Sequence, residues 1–141
     1  MTTIAWDGVT LAGDRQATFG TTPRPSAKKV FKVEHTEHGA VLFGMSGLAS
    51  DCQAFANWVF NGGDKPEFKE IWVIAVDQKR NVWYCDNRLM FGIVRSKFWA
   101  GGTGADYALG AMAAGKSAVE AVKIASTLDI NTGNGFDRVT F

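Results

Sequence analysis

Met1-Thr2-Thr3-Ile4-Ala5-Trp6-Asp7-Gly8-Val9-Thr10-Leu11-Ala12 opens the chain, and its pattern predicts two short strands joined by a tight turn. Thr2, Ile4 and Trp6 alternate with smaller residues, the period of a strand with one buried face. Asp7-Gly8 is a hairpin signal because glycine takes positive φ without steric cost, and Val9 to Ala12 reads as the return strand. The first residues are thereby the first residues of a sheet. That pins a terminus that would otherwise fray.

The same stretch carries candidate chemistry. Methionine ahead of a small residue is normally trimmed, which would leave Thr2 with a free α-amine beside its hydroxyl. A nucleophile and a base then sit on one residue. The amine titrates near ~7.7–8.0, so much of it is neutral at neutral to mildly alkaline pH. Many chains begin Met-Thr without catalytic consequence, so Thr2 needs supporting groups. Asp14 follows Leu11-Ala12-Gly13, and Lys28-Lys29 precedes Val30. Asp and Lys are rarely buried unless paired. A buried lysine near the Thr2 amine would lower that amine's pKa, and an aspartate would hold the lysine charged. The competing reading of the same residues is a surface ion pair of little energetic weight.

Further along, Gly20 to Ser26 reads as a loop by composition. Lys28–Val33 and Ala40–Met45 form a second hairpin around a turn at 34–39. Leu48, Cys52, Phe55 and Val59 recur at helical spacing, and Gly62-Gly63 ends that helix. Ile71–Val76 is a continuous apolar run, as in a strand covered on both faces. Val82–Cys85, Leu89–Val94 and Phe98–Ala100 are shorter strands. Gly101-Gly102-Thr103-Gly104 precedes a small-residue helix at about 106–114. Ser117 and Glu120 form a capping box that opens another helix, and Phe136–Phe141 is a last strand. The order lacks βαβ alternation and fits an α+β layered fold in one domain spanning residues 1–141.

Composition narrows the function. The 141 residues are 46% hydrophobic and 21% charged with net charge +1, a globular chain with no electrostatic footprint for nucleic acid or anionic membrane. No apolar run reaches the ~20 residues of a membrane span, and the N-terminus does not read as a signal peptide. Two cysteines make no disulfide framework and read as a reduced intracellular pair. His35 and His38 lie in a polar turn without cysteine partners, against a zinc site and against a Ser-His-Asp triad. The 101–104 glycine segment lacks the spacing of either common phosphate loop. Asp51, Asp64, Glu67 and Glu70 read as solvated faces. Neither a metal nor a cofactor is expected, and the protein reads as cytoplasmic.

Four ordered segments carry a resemblance. They are Met1–Ile4 with Ala12–Gly20, then Lys28-Lys29-Val30, then Phe43-Gly44-Met45-Ser46-Gly47-Leu48-Ala49-Ser50-Asp51, then Gly102-Thr103-Gly104 followed by Leu128–Gly133. Together they resemble the HslV and proteasome β-subunit family of N-terminal nucleophile hydrolases across almost the whole chain. The resemblance implies a four-layer αββα fold with antiparallel sheets between helices, and a threonine peptidase. Thr2 would be the nucleophile, Lys29 the lysine beside it, Asp14 that lysine's partner and the Gly47 N–H an oxyanion donor. Thr103 stands where relatives have the serine of a Gly-Ser-Gly motif, Asp129 matches the acid of that network and Thr132 a nearby hydroxyl. Ala17, Phe31, Met45 and Ala49 match walls of the specificity pocket. Thr18, Gly47 and Ala49 match backbone partners of an extended substrate.

The resemblance further implies a peptide or unfolded-protein substrate and a homo-oligomeric ring or double ring, and admits an ATP-dependent unfoldase partner. Two departures bear on ring contacts: the first hairpin is short, and Gly62–Glu70 leaves no room for the second helix that relatives carry there. The rival expectations are a small-molecule amidase of the same fold and a catalytically silent assembly subunit.

Overall fold

A computed structural model describes residues 2–19 and 22–141; Met1, whose trimming is expected above, and Gly20 and Thr21 lie outside the described residues. The first hairpin joins β1 (Ile4–Trp6) to β2 (Leu11–Asp14), with Ile4 opposite Gly13 and Trp6 opposite Leu11. The return strand begins at Leu11 rather than Val9. Asp7 Oδ1 accepts from the Val9 and Thr10 N–H groups at 2.9 and 2.8 Å, which commits those donors to the turn. Asp7 Oδ2 accepts from the Ala118 N–H at 2.8 Å, tying the hairpin to the start of a distant helix.

The described part of the 20–26 segment is not a loop. β3 (Gln16–Phe19) and β4 (Thr22–Ser26) pair antiparallel as a two-stranded ribbon. Prolines at 23 and 25 read as loop by composition, but a strand with an open edge tolerates residues that cannot donate. The second hairpin joins β5 (Val30–Thr36) to β6 (Gly39–Gly47) and is longer than expected. Thr36 closes its turn, donating to the Gly39 carbonyl at 2.6 Å and accepting from the His38 N–H at 3.0 Å.

Five strands line up as β5-β6-β7-β8-β9, where β7 is Ile71–Val76, β8 is Val82–Cys85 and β9 is Gly92–Val94. A four-stranded sheet runs β10-β1-β2-β11, with β10 at Trp99–Gly101 and β11 at Phe136–Val139. Every pairing is antiparallel. The helices are α1 (Ala49–Asn61), α2 (Ala105–Ala113) and α3 (Ala118–Leu128). No helix occupies 62–70. The expected capping box opens α3: Glu120 N–H donates to Ser117 Oγ at 3.2 Å, and Ser117 N–H to Glu120 Oε2 at 2.9 Å.

Strand alternation builds three apolar layers. On β6, Val41, Phe43 and Met45 face α1, joined by Ile71, Val73 and Ala75 of β7. The opposite faces contribute Leu42, Ile74 and Val76 to a layer between the sheets, where they meet Ile4, Trp6 and Leu11. Ala5, Ala12 and Ala100 on the far side of the four-stranded sheet meet Ala108, Ala111, Met112, Ala118, Ala121 and Val122 of α2 and α3. Small side chains there let two helices lie close on the sheet. The order is thus helix, sheet, sheet, helices, the αββα sandwich expected from the sequence. No helix among the described residues is long and apolar enough to cross a membrane.

The inter-sheet layer is tight at Gly44. A Cβ there would lie 2.7 Å from Ile4 Cγ2 and 3.0 Å from its Cδ1. Gly44→Ala is therefore expected to destabilise the fold by about 1–3 kcal/mol through overpacking. Gly110, in α2 with nothing within 4 Å of an added Cβ, is the control. Gly110→Ala should stabilise by about 0.5–1 kcal/mol. Urea unfolding midpoints of the two variants, moving in opposite directions, test this packing.

Candidate active site

Thr2 lies just ahead of β1 and is 1% exposed. Close backbone approach holds it. A Cβ on Gly102, whose φ is +97°, would collide with the Thr2 carbonyl, so only glycine fits. The Thr2 carbonyl accepts from the Gly104 N–H at 3.3 Å. The 101–104 glycine segment is therefore packing against the chain start.

Two charged groups meet behind the Thr2 hydroxyl. Lys29 Nζ donates to Thr2 Oγ1 at 2.9 Å and to Asp14 Oδ1 at 2.9 Å. Both charges are buried, with 9% of the Lys29 side chain and none of the Asp14 side chain exposed. A buried carboxylate needs further donors. Asp14 Oδ1 also accepts from the Thr3 N–H, and Oδ2 accepts from the N–H groups of Gln16 and Gly133. Burial pulls the Lys29 pKa below the usual lysine value, and Asp14 opposes that pull by charge and hydrogen bond.

A second network meets the Thr2 nitrogen. Thr2 N–H donates to Thr103 Oγ1 at 3.3 Å, and Thr103 donates onward to Asp129 Oδ2 at 2.6 Å. Thr132 Oγ1 donates to the same oxygen at 2.7 Å. Its 2.7 Å contact with Thr3 Oγ1 must then carry the Thr3 hydrogen. Asp129 caps the end of α3 in extended conformation. Partial burial raises its pKa, but hydrogen bonds from Thr103, Thr132 and the Asn131 N–H outweigh that and hold the carboxyl below its ordinary value.

An open cleft of about 670 Å³ begins at Thr2 and Lys29 and runs along β6 and α1. Ala17, Phe31, Met45 and Ala49 all line it, with Gly47 at its chemical end. Thr18 lies beside Ala17 in β3. Gly47 ends β6 with φ +140°, and a Cβ there would run into the Glu70 carbonyl. α1 follows at once, and its N-terminus has no side-chain cap. The positive end of that helix is directed at the Gly47 region, where negative charge is favoured.

The sequence reading missed several neighbours. Ser46 Oγ lies 2.7 Å from Thr2 Oγ1. Cys52 and Phe60 extend the apolar wall, with Phe60 and Phe31 ring centroids 5.3 Å apart. Burial pushes the Cys52 thiol up to about 11, so it stays neutral at physiological pH. Asp51 is not on a solvated face: it is buried, and its Oδ2 accepts from the Lys69 and Glu70 N–H groups at 2.8 and 2.7 Å. This fixes the segment whose Glu70 carbonyl accepts from Leu48 N–H. The signal available for Ser46 was a polar residue at an inward position of an apolar strand.

Two antiparallel sheets packed face to face between helices are the fold of HslV and proteasome β-type proteins. Solved structures agree. The chain superposes on eukaryotic HslV from Trypanosoma brucei with TM-score 0.70 at 19% identity, covering 98% of this chain and 97% of that one. BPH from Thiobacillus denitrificans gives TM-score 0.72 at 18% identity, covering 99% and 96%, and that protein is also known in complex with epoxomicin. The Anbu Gly-1 mutant from Hyphomicrobium sp. strain MC1 gives 0.75 at 9% identity, covering 100% of this chain and 82% of that one. No protein-family model and no curated protein matches the sequence.

The buried carboxylate makes a direct prediction. Asp14→Ala strands the Lys29 ammonium and three N–H donors, and should cost about 3–5 kcal/mol of stability. Urea unfolding of the variant measures it; a loss below about 1 kcal/mol, the scale of an exposed pair, would contradict the arrangement.

Proposed function

We propose that this chain is a threonine peptidase in which Thr2, once Met1 is removed, attacks the peptide carbonyl. The observation that carries this is the Lys29 Nζ to Thr2 Oγ1 hydrogen bond inside a buried ion pair, at the end of an apolar cleft. The Thr2 α-amine, directly or through a water, takes the hydroxyl proton. Oγ forms a bond to the carbonyl carbon, and the Gly47 N–H with the uncapped start of α1 receives the oxyanion. The protonated amine then gives its proton to the leaving amine, and water hydrolyses the ester. Lys29 favours the neutral amine and the incipient alkoxide by its charge. The network of Thr103, Asp129 and Thr132 orients the amine.

On this reading the chain works in the cytoplasm as a self-compartmentalised assembly, a ring or double ring of this subunit that confines cleavage to unfolded chains, and admits an ATP-dependent unfoldase as a partner; the likeness in fold to HslV is what supports the assembly. Ala17, Phe31, Met45, Ala49, Cys52 and Phe60 favour an apolar side chain before the scissile bond.

A panel of fluorogenic peptides differing at that residue tests the reading. Apolar members should be cleaved fastest and Thr2→Ala should reduce turnover to background while the fold is retained. Turnover by Thr2→Ala, or a preference for charged residues, would overturn it.

The pH profile is a second test. The rate should rise as the Thr2 amine loses its proton, near or below ~7.7–8.0, since the neighbouring ammonium disfavours a second charge. It should fall again as Lys29 is deprotonated, at a pH below the ordinary lysine value because burial lowers that pKa. Lys29→Met should lose turnover across the whole range. A rate still climbing past pH ~10.4 would contradict the role of Lys29.

A further inference from the structure

Ser46 is a polar residue where the strand pattern calls for an apolar one. On β6, Leu42, Gly44 and Ser46 face the four-stranded sheet, opposite Val76, Ile74 and Trp72 of β7. Leu42, Val76 and Ile74 are fully buried and apolar, and a Cβ at Gly44 would touch Ile4. Ser46 is 8% exposed and its Oγ lies 2.7 Å from Thr2 Oγ1, the atom that Lys29 also contacts. A buried hydroxyl without a partner is costly, so the contact explains how serine is tolerated. It also does more.

We infer that Ser46 is a further catalytic residue, whose hydroxyl donates to Thr2 Oγ1 as that oxygen becomes the nucleophile. The inference rests on the threonine-peptidase reading. At rest, the Thr2–Ser46 hydrogen bond can run in either direction. An oxygen that has given up its proton carries no hydrogen, so the bond then runs only from Ser46 to Thr2. A hydrogen bond to a charged acceptor is roughly twice as strong as a neutral one. The contact is therefore worth more on the way to the transition state than in the ground state, which is the condition for acceleration. The proton balance is simple: the Thr2 hydroxyl proton goes to the Thr2 amine, the new bond joins Oγ to the carbonyl carbon, and Ser46 keeps its own proton. Ser46 thus complements Lys29, which donates to the same oxygen as a fixed cation. Met45, one residue earlier, faces the other way and walls the cleft. One strand thereby supplies pocket and hydroxyl on opposite faces.

The test compares wild type, Ser46→Ala and Ser46→Thr on the best peptide and on a peptide vinyl sulfone that labels the nucleophile. Ser46→Ala should lower kcat roughly 10- to 100-fold, the loss expected for one hydrogen bond to a charged group, with KM changed little. Vinyl sulfone labelling of Thr2 should slow by a similar factor, and Ser46→Thr, which keeps the hydroxyl, should recover most of the rate. A purely structural role would instead lower the unfolding midpoint and raise KM. Wild-type kcat in Ser46→Ala, with Thr2→Ala inactive, would overturn the role of Ser46 alone. A wild type that neither cleaves peptide nor takes the label overturns the peptidase reading and this inference together.

Discussion

A buried ion pair between Lys29 and Asp14 governs the chemical end of this molecule. Two charges at 2.9 Å with almost no solvent exposure are stable only when their remaining hydrogen-bonding capacity is met. Asp14 meets that requirement by gathering N–H groups from Thr3 at the chain start, Gln16 at the start of β3 and Gly133 beyond α3. Those segments come from separate parts of the sequence, and the fold brings them together around Asp14. The second lysine bond then lands on Thr2. Stability and the placement of Thr2 have the same cause.

The layers around this pair divide the remaining work. The inter-sheet layer is apolar and closely packed. The layer between α1 and the five-stranded sheet is left open toward Thr2, and that opening is the cleft. β6 belongs to both, because successive side chains leave opposite faces of a strand. Gly47, at its end, has φ +140° and leads at once into α1, which puts the start of that helix beside the proposed oxyanion position. Asp51 anchors the neighbouring 69–70 backbone to the start of α1.

Much of this was legible in the sequence, for physical reasons that differ by element. Ile71–Val76 and the Ser117–Glu120 cap depend on local pattern, and both occur where the pattern puts them. Asp14 and Lys29 alone allowed a surface pair; only their ordered neighbours pointed to burial. The β3–β4 ribbon was hidden because proline suppresses the strand signal while the ribbon's open edge accepts it. Asp51 and Ser46 were hidden because their partners are 18 and 44 residues away, and no local period reports such a contact.

The central claim is the proposal that Thr2 Oγ is the nucleophile, activated by a buried, charged lysine at the end of an open cleft. Intact mass followed by fragmentation, after reaction with a peptide vinyl sulfone, tests it most directly. The account predicts a chain lacking Met1, carrying one adduct per subunit on Thr2, and losing that adduct in Lys29→Met. A stoichiometric adduct on Cys52 or elsewhere, or a chain that has lost Met1 and takes no adduct, would contradict it.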